Sequence, residues 1–170
     1  GAMLPEDVKA RVGPVVEAVK VPVGFHAHSN LTLATANALA ALEVGATFLD
    51  CCCRGLGAGA GNTQTEALVA VLDKMGYQTG VDLYRIMDVA EQIVEPVMQR
   101  PQVVGSAPLM LGYAGVYSSF LLHTYRASEM IGLDPRDILV ELGRRKMVGG
   151  QEDMIVDVAY QLAHRRGGAE

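Results

Sequence analysis

The sequence predicts an α/β fold that gives way to an all-helical second half. Two observations carry this expectation. Over the first 80 or so residues, helical and strand-like runs alternate with short connections, the grammar of parallel α/β architecture. After Gly80 only helical periodicity remains. The chain therefore reads as the last two βα units of an α/β fold joined to a helical domain, with the join near Thr79 to Val89.

Each element has its own signal. Leu4-Pro5-Glu6-Asp7 opens a helix, with proline early and acids in the first turn, and Val8, Val12, Val15, Val16 and Val19 keep helical spacing up to Lys20. Val21 to Phe25 is a short β-rich run that ends in the polar stretch His26 to Asn30. An Ala/Leu-rich helix from Thr32 to Val44 follows, closed by Gly45. Ala46 to Cys51 reads as a second buried strand. A glycine-rich turn then leads to a helix over Thr63 to Met75, with Asn62 or Thr63 as its cap. Further helices are expected over Asp82–Met98, Gly115–Ile131, Pro135–Arg145 and Gln151–Arg165, punctuated by Asp134-Pro135 and Gly149-Gly150.

Composition bounds the function. The 170 residues are 50% hydrophobic and 19% charged, enough for an ordinary core and unlike a disordered chain. A net charge of -5 and a pI near 5.3 argue against a nucleic-acid or anionic-membrane partner, because no basic stripe exists to neutralise phosphates. The densest basic spot, Arg144-Arg145-Lys146, reads as a solvated helix C-terminus favoured by the helix dipole. No apolar run has the length a bilayer demands, and no signal-peptide pattern opens the chain. Cys51-Cys52-Cys53 are consecutive, so they form neither a spaced disulfide framework nor a metal knuckle. They read as small apolar residues at a crowded strand end, and free thiols point to the cytoplasm.

Two parallel strands do not make a stable sheet alone, because parallel strands need their faces and edges covered. Either further barrel sequence lies outside these residues, or another chain covers the strands.

The candidate chemistry begins at His26-Ala27-His28. Residues i and i+2 of a strand share a face, so both imidazoles can reach one point, and imidazole nitrogen suits a divalent transition ion. Two nitrogens do not complete a site; carboxylates or waters must be added. The bland alternative is two histidines that hydrogen-bond locally at a polar strand end. Asp50 ends the next strand, and parallel strands present their C-terminal ends on one side, where α/β sites form. Gly55-x-Gly57-x-x-Ala60 formally satisfies a dinucleotide fingerprint. Three residues separate it from the strand, and no βαβ unit follows to supply a ribose-binding acid. Close backbone approach, or a helix N-terminus facing an anion, explains these glycines better.

Taken together, these residues resemble a known family. Gly24-Phe25-His26-Ala27-His28-Ser29-Asn30-Leu31, then Asp50 and Arg54-Gly55-Leu56-Gly57-Ala58-Gly59-Ala60-Gly61-Asn62, look like the last two barrel strands of 4-hydroxy-2-oxovalerate aldolases, within the DRE-TIM metallolyase superfamily. Gly112-Tyr113-Ala114-Gly115-Val116-Tyr117-Ser118-Ser119-Phe120 and Gly149-Gly150-Gln151-Glu152-Asp153 resemble the helical communication domain of the same aldolases. The resemblance covers essentially the whole chain, and Gly1-Ala2-Met3 fits the residues that follow the preceding barrel strand.

The resemblance implies the C-terminal half of such an aldolase: residues 1–85 as the last two βα units of a (β/α)8 TIM barrel, and residues 86–170 as the helical domain. It implies retro-aldol cleavage of 4-hydroxy-2-oxopentanoate-type acids to pyruvate and an aldehyde. The metal would be Mn2+, with Mg2+ or Co2+ as alternatives, acting as a Lewis acid on the keto acid. By the same resemblance His26 and His28 are metal ligands, and Tyr117 reaches the active site and helps set stereochemistry. Asn62 lies on the substrate side or behind the ligands, and Gly149 and Gly150 lie near the end of a channel. The partner would be an acylating acetaldehyde dehydrogenase.

The family's third ligand, an Asp, with a neighbouring Arg and an acid/base His, belongs to a half not present in these residues. Asp50 is on the wrong strand to replace it, and His123 and His164 lie within helices. The isolated chain is therefore expected to bind metal weakly and to have little or no activity. Two other functions compete. One is a non-catalytic module that docks the dehydrogenase. The other is a related lyase or synthase of acyl-CoA substrates, disfavoured by the Tyr117 segment, by Gly149-Gly150 and by the lack of a basic anchoring patch.

Overall fold

The computed structural model describes residues 1–167, and side chains up to Arg165. Its backbone forms two compact units that divide between Val103 and Val104. The segment after Gly80 is tied to the glycine-rich turn. Arg54 pairs with Glu95 at 2.7 Å, and the Gln102 side chain donates to the Gly57 carbonyl at 2.9 Å.

In the first unit, α1 (Pro5–Ala18) starts where expected: the Asp7 carboxylate accepts from the Leu4 amide, one of the donors left over at a helix start. β1 (Gly24–His26) and β2 (Phe48–Asp50) pair in parallel, with α2 (Ala34–Glu43) as the crossover between them. The chain turns out of α2 at Gly45, whose φ of 99° is left-handed. A 3-10 turn, Cys53–Gly55, opens the glycine-rich turn, and α3 (Thr65–Lys74) follows. Neither Asn62 nor Thr63 caps α3; Gln64 occupies that position. Both expected caps are used instead in pairing with the chain beyond β1.

α4 (Leu83–Asp88) continues through a π-helical stretch, Val89–Val94, and a 3-10 turn, Glu95–Val97, where one uniform helix was expected. Pro96 lacks the amide that a regular last turn requires.

The strands are shorter and more exposed than their composition predicts. Phe48 is 63% exposed, although Ala46–Cys51 reads as a buried strand. Among the described residues each strand has a single neighbour, so its other edge has no ladder partner.

The second unit holds α5 (Ser106–Ala114), α6 (Phe120–Ile131), α7 (Pro135–Arg144) and α8 (Ile155–Gly167). α5 was not expected as a helix. It is apolar on nearly every side, so it shows no amphipathic period. Gly115, read as a helix start, is instead the left-handed residue that ends α5, with φ 71°. The Asp134 carboxylate caps α7 by accepting from the Arg136 amide at 2.8 Å, and Pro135 takes the first helical position. α7 meets α5 closely at Gly143, where a Cβ would run into the Ala114 carbonyl oxygen.

One core joins these helices around Phe120, Ile138, Leu139, Leu142 and Ile155. The basic run is exposed at the end of α7, as expected, and its arginines also reach an acid. Buried Glu141 accepts from Arg145 at 2.9 Å and from Arg165 at 2.6 Å, and Arg144 lies within 3.5 Å. No helix among the described residues is long and apolar enough to cross a membrane.

Candidate metal centre and its surroundings

The C-terminal ends of β1 and β2 build the site. Parallel register sets His26 directly beside Asp50, and the Asp50 carboxylate accepts from His26 Nδ1 at 2.8 Å. The His26 and His28 ring centroids are 4.8 Å apart, with planes at 79°. The two rings thus share one face of the strand end, as the i, i+2 spacing requires. Between them Ala27 is buried and turned the other way.

The glycine-rich turn folds its far end back onto this strand end. The amides of Thr63 and Ser29 donate to the carbonyls of Ala27 and Gly61, at 3.2 and 2.8 Å, and Asn62 lies antiparallel to His28. Cys52 takes the other side, with its amide on the Thr63 carbonyl at 2.9 Å and its carbonyl accepting from Thr65 at 3.1 Å. Asn62 is buried. Its amide nitrogen donates to the Leu56 carbonyl at 3.1 Å, while its Oδ1 has no protein partner. Gly57 must be a glycine for this, since a Cβ there would lie 2.5 Å from Asn62 Nδ2.

Burial and the neighbouring His26 push the His28 imidazole below its ordinary pKa, opposed by a ring N–H donated to the Gly61 carbonyl. The shift favours the neutral ring, the form in which imidazole binds a metal. Burial raises the Cys51 thiol, against a hydrogen bond with Thr65, so Cys51 is held as thiol rather than thiolate. All three cysteines are free.

Each histidine thus has one ring nitrogen engaged by an outer partner: the Asp50 carboxylate for His26, the Gly61 carbonyl for His28. That arrangement is the one metal-binding histidines use to fix ring orientation and tautomer. The donor set fits a divalent ion to that extent. Among the described residues no three His, Cys, Asp or Glu side chains converge on one point. Asp50 is directed at His26 instead of serving as a third ligand. Sequence reasoning missed this partnership, although the aligned strand ends were its signal.

In the second unit, Tyr117 is 58% exposed in the loop between α5 and α6. A Cβ on Gly149 would stand 3.4 Å from Tyr117 Cδ1, so the glycine lies against the ring face. Gly150 is left-handed, with φ 93°. The same loops are joined by Ser119 Oγ, which donates to Glu152 at 2.7 Å. The structure therefore brings His26, His28 and Asn62 together in one unit, and Tyr117 and Gly149 together in the other. His123 is half-buried in α6, and His164 is exposed in α8.

A histidine pair at the end of a parallel strand, backed by a glycine-rich turn, defines an α/β protein whose candidate site lies at its strand ends. Residues 1–93 match the HMGL-like family and residues 102–164 match the DmpG-like communication domain. The chain belongs to the HMGL-like family, with a communication domain following its α/β part.

A 4-hydroxy-2-oxovalerate aldolase of Moorella thermoacetica is 84% identical over 168 residues, which are 99% of this chain and 50% of that protein. The protein of the same name from Carboxydothermus hydrogenoformans is 69% identical over 96% of this chain and 48% of its own length. The chain spans about half the length of the curated relatives it matches. The crystal structure of the N-terminal domain of a provisionally assigned aldolase from Bacteroides vulgatus superposes with a TM-score of 0.65 at 28% identity, covering 78% of this chain and 45% of that one.

Proposed function

We propose that this chain carries two metal ligands and the substrate-side groups of a divalent-metal-dependent pyruvate aldolase. The reaction is cleavage of 4-hydroxy-2-oxopentanoate-type acids to pyruvate and an aldehyde. The observation that carries this reading is the paired imidazoles, each with one nitrogen engaged, beside a buried amide oxygen that has no protein partner. The names of the relatives support the substrate class.

His26 and His28 are the residues that would hold Mn2+, or Mg2+ or Co2+ in its place. Such an ion, when bound, supplies Lewis acidity at the keto-acid carbonyl. Asn62 sits behind the pair as a fixed polar group. Tyr117 is the residue of the helical unit proposed to reach the reacting substrate, and Gly149 and Gly150 the place where the aldehyde leaves. The division proposed is a barrel-type catalytic part over 1–85 and a helical part over 86–170, in a cytoplasmic protein.

The described residues offer two nitrogen ligands and no converging third acid, so the isolated chain is expected to bind metal weakly and turn over little. The assay is pyruvate release from 4-hydroxy-2-oxopentanoate with Mn2+. It is run on this chain and on the longest natural reading frame that contains it. In the longer protein, His28→Ala should lower turnover at least about 100-fold, the scale of lost electrostatic catalysis. Undiminished turnover in that variant, or full turnover by the 170-residue chain, would overturn the reading.

A docking role for the second unit, with an acylating acetaldehyde dehydrogenase as partner, is favoured by the communication-domain match. Co-purification with that dehydrogenase supports it; a chain that ignores the enzyme does not.

A further inference from the structure

We infer that Asp50 is a positioning residue for His26: its carboxylate fixes the Nδ1–H tautomer and leaves Nε2 as the lone pair offered to a divalent cation. The inference rests on the metal reading above and deepens it, by naming which nitrogen of His26 faces the cation and what holds it so.

Strand register brings the two groups together. β1 and β2 pair so that His26 and Asp50 are cross-strand neighbours at the C-terminal edge. Their side chains meet at 2.8 Å, the length of a charge-assisted hydrogen bond. An ionised carboxylate only accepts, so the proton in that bond belongs to Nδ1. Neutral imidazole has one N–H, and with Nδ1 protonated Nε2 must carry the lone pair. The same bond stops rotation of the ring about χ2, which would otherwise exchange the two nitrogens.

His28 has a different anchor, the main-chain carbonyl of Gly61. The two proposed ligands are therefore not equivalent. One is held by backbone, which no substitution can remove; the other is held by a single side chain, which one substitution can.

The competing explanation is a surface ion pair that does nothing but add stability. The side chains of His26 and Asp50 are 40% and 66% exposed, and exposed pairs contribute little to folding. Loss of Asp50 is thus expected to leave the fold intact, so a change in the ring is read directly.

The test uses the 170-residue chain with 15N-labelled histidine, above the ordinary imidazole pKa of about 6.5. Long-range proton–nitrogen correlations report the tautomer, and added Mn2+ reports which nitrogen it approaches by paramagnetic broadening. Broadening detects weak binding, so a full ligand set is not needed. Expected for the wild type are Nδ1–H at His26 and broadening at Nε2.

Asp50→Ala should move His26 toward the Nε2–H form preferred by free histidine and weaken the Mn2+ effect about 10- to 100-fold, the range for lost outer-shell partners. Asp50→Asn, whose amide oxygen still accepts, should retain most of the tautomer. Unchanged resonances elsewhere certify the fold of both variants.

Nε2–H at His26 in the wild type would overturn the inference, as would an Asp50→Ala variant with unaltered tautomer or Mn2+ response. An Asp50-dependent tautomer with no Mn2+ effect on either wild-type ring is a different outcome: it overturns the metal reading itself, and Asp50's role in it.

Discussion

The two units differ in how they are held together. The helical unit has one contiguous core in which Phe120, Ile138, Leu139 and Ile155 are fully buried. The α/β unit has two small clusters, one built on Val8, Ala40, Ala41 and Ala46, the other on Ala38, Leu68 and Leu72. Burial of a Phe or Leu stabilises far more than burial of an alanine methyl, roughly 1.5–3 against about 0.8 kcal/mol per group. The candidate metal site therefore lies on the less self-sufficient unit. The communication-type loops of Tyr117 and Gly149 lie on the one with its own core.

This contrast is open to attack at three points. The largest effect is expected at Phe120, which is fully buried in the helical core. Phe120→Ala should cost about 3–5 kcal/mol in chemical denaturation monitored on the helical unit. A loss below about 1 kcal/mol would show that this core is not what holds the unit.

The second point is the buried Glu141 carboxylate. The hydrogen bond from Arg165, then that from Arg145, holds its pKa below the ordinary carboxylate value, against the opposing effect of burial. A depressed folded pKa gives stability that is present above the unfolded value, about 4.3, and lost as pH falls through the folded value. Arg144 and Arg165 are largely exposed, so the effect is expected to be modest, about 1–2 kcal/mol. Urea midpoints from neutral to acid pH should fall in that window for the wild type and stay flatter for Glu141→Gln. Identical profiles would remove Glu141 from the account.

The smallest effect is expected at Ala41, buried in the last turn of α2. Ala41→Gly should cost about 1 kcal/mol in helix propensity, plus its methyl contacts. The reporter is hydrogen exchange in α2, compared with the amides around Leu139, which are expected to exchange more slowly. Equal exchange in the two places would erase the contrast between the units.

Much of this was legible because it depends on local chemistry. Asp134-Pro135 announces α7, and Gly45 announces the end of α2, since a carboxylate cap and a left-handed glycine act over a few bonds. The uniformly apolar α5 gave no period to read, and Asn62 and Thr63 looked like helix caps until strand pairing claimed them. A cap and a strand-bridge residue look alike in one dimension, because both expose backbone donors that something must satisfy.

By itself, the sequence determined that His26 and His28 share a face, because strand geometry alternates at every residue. It also determined that glycines near Asn62 permit a tight return of the chain. Only the tertiary structure decided which partner each histidine has. His26 and Asp50 are 24 positions apart and touch only because β1 and β2 pair in one register. His28 finds the Gly61 carbonyl only because the glycine-rich turn folds back onto β1. Register and return are set by packing across the whole unit, and no short-range signal encodes them.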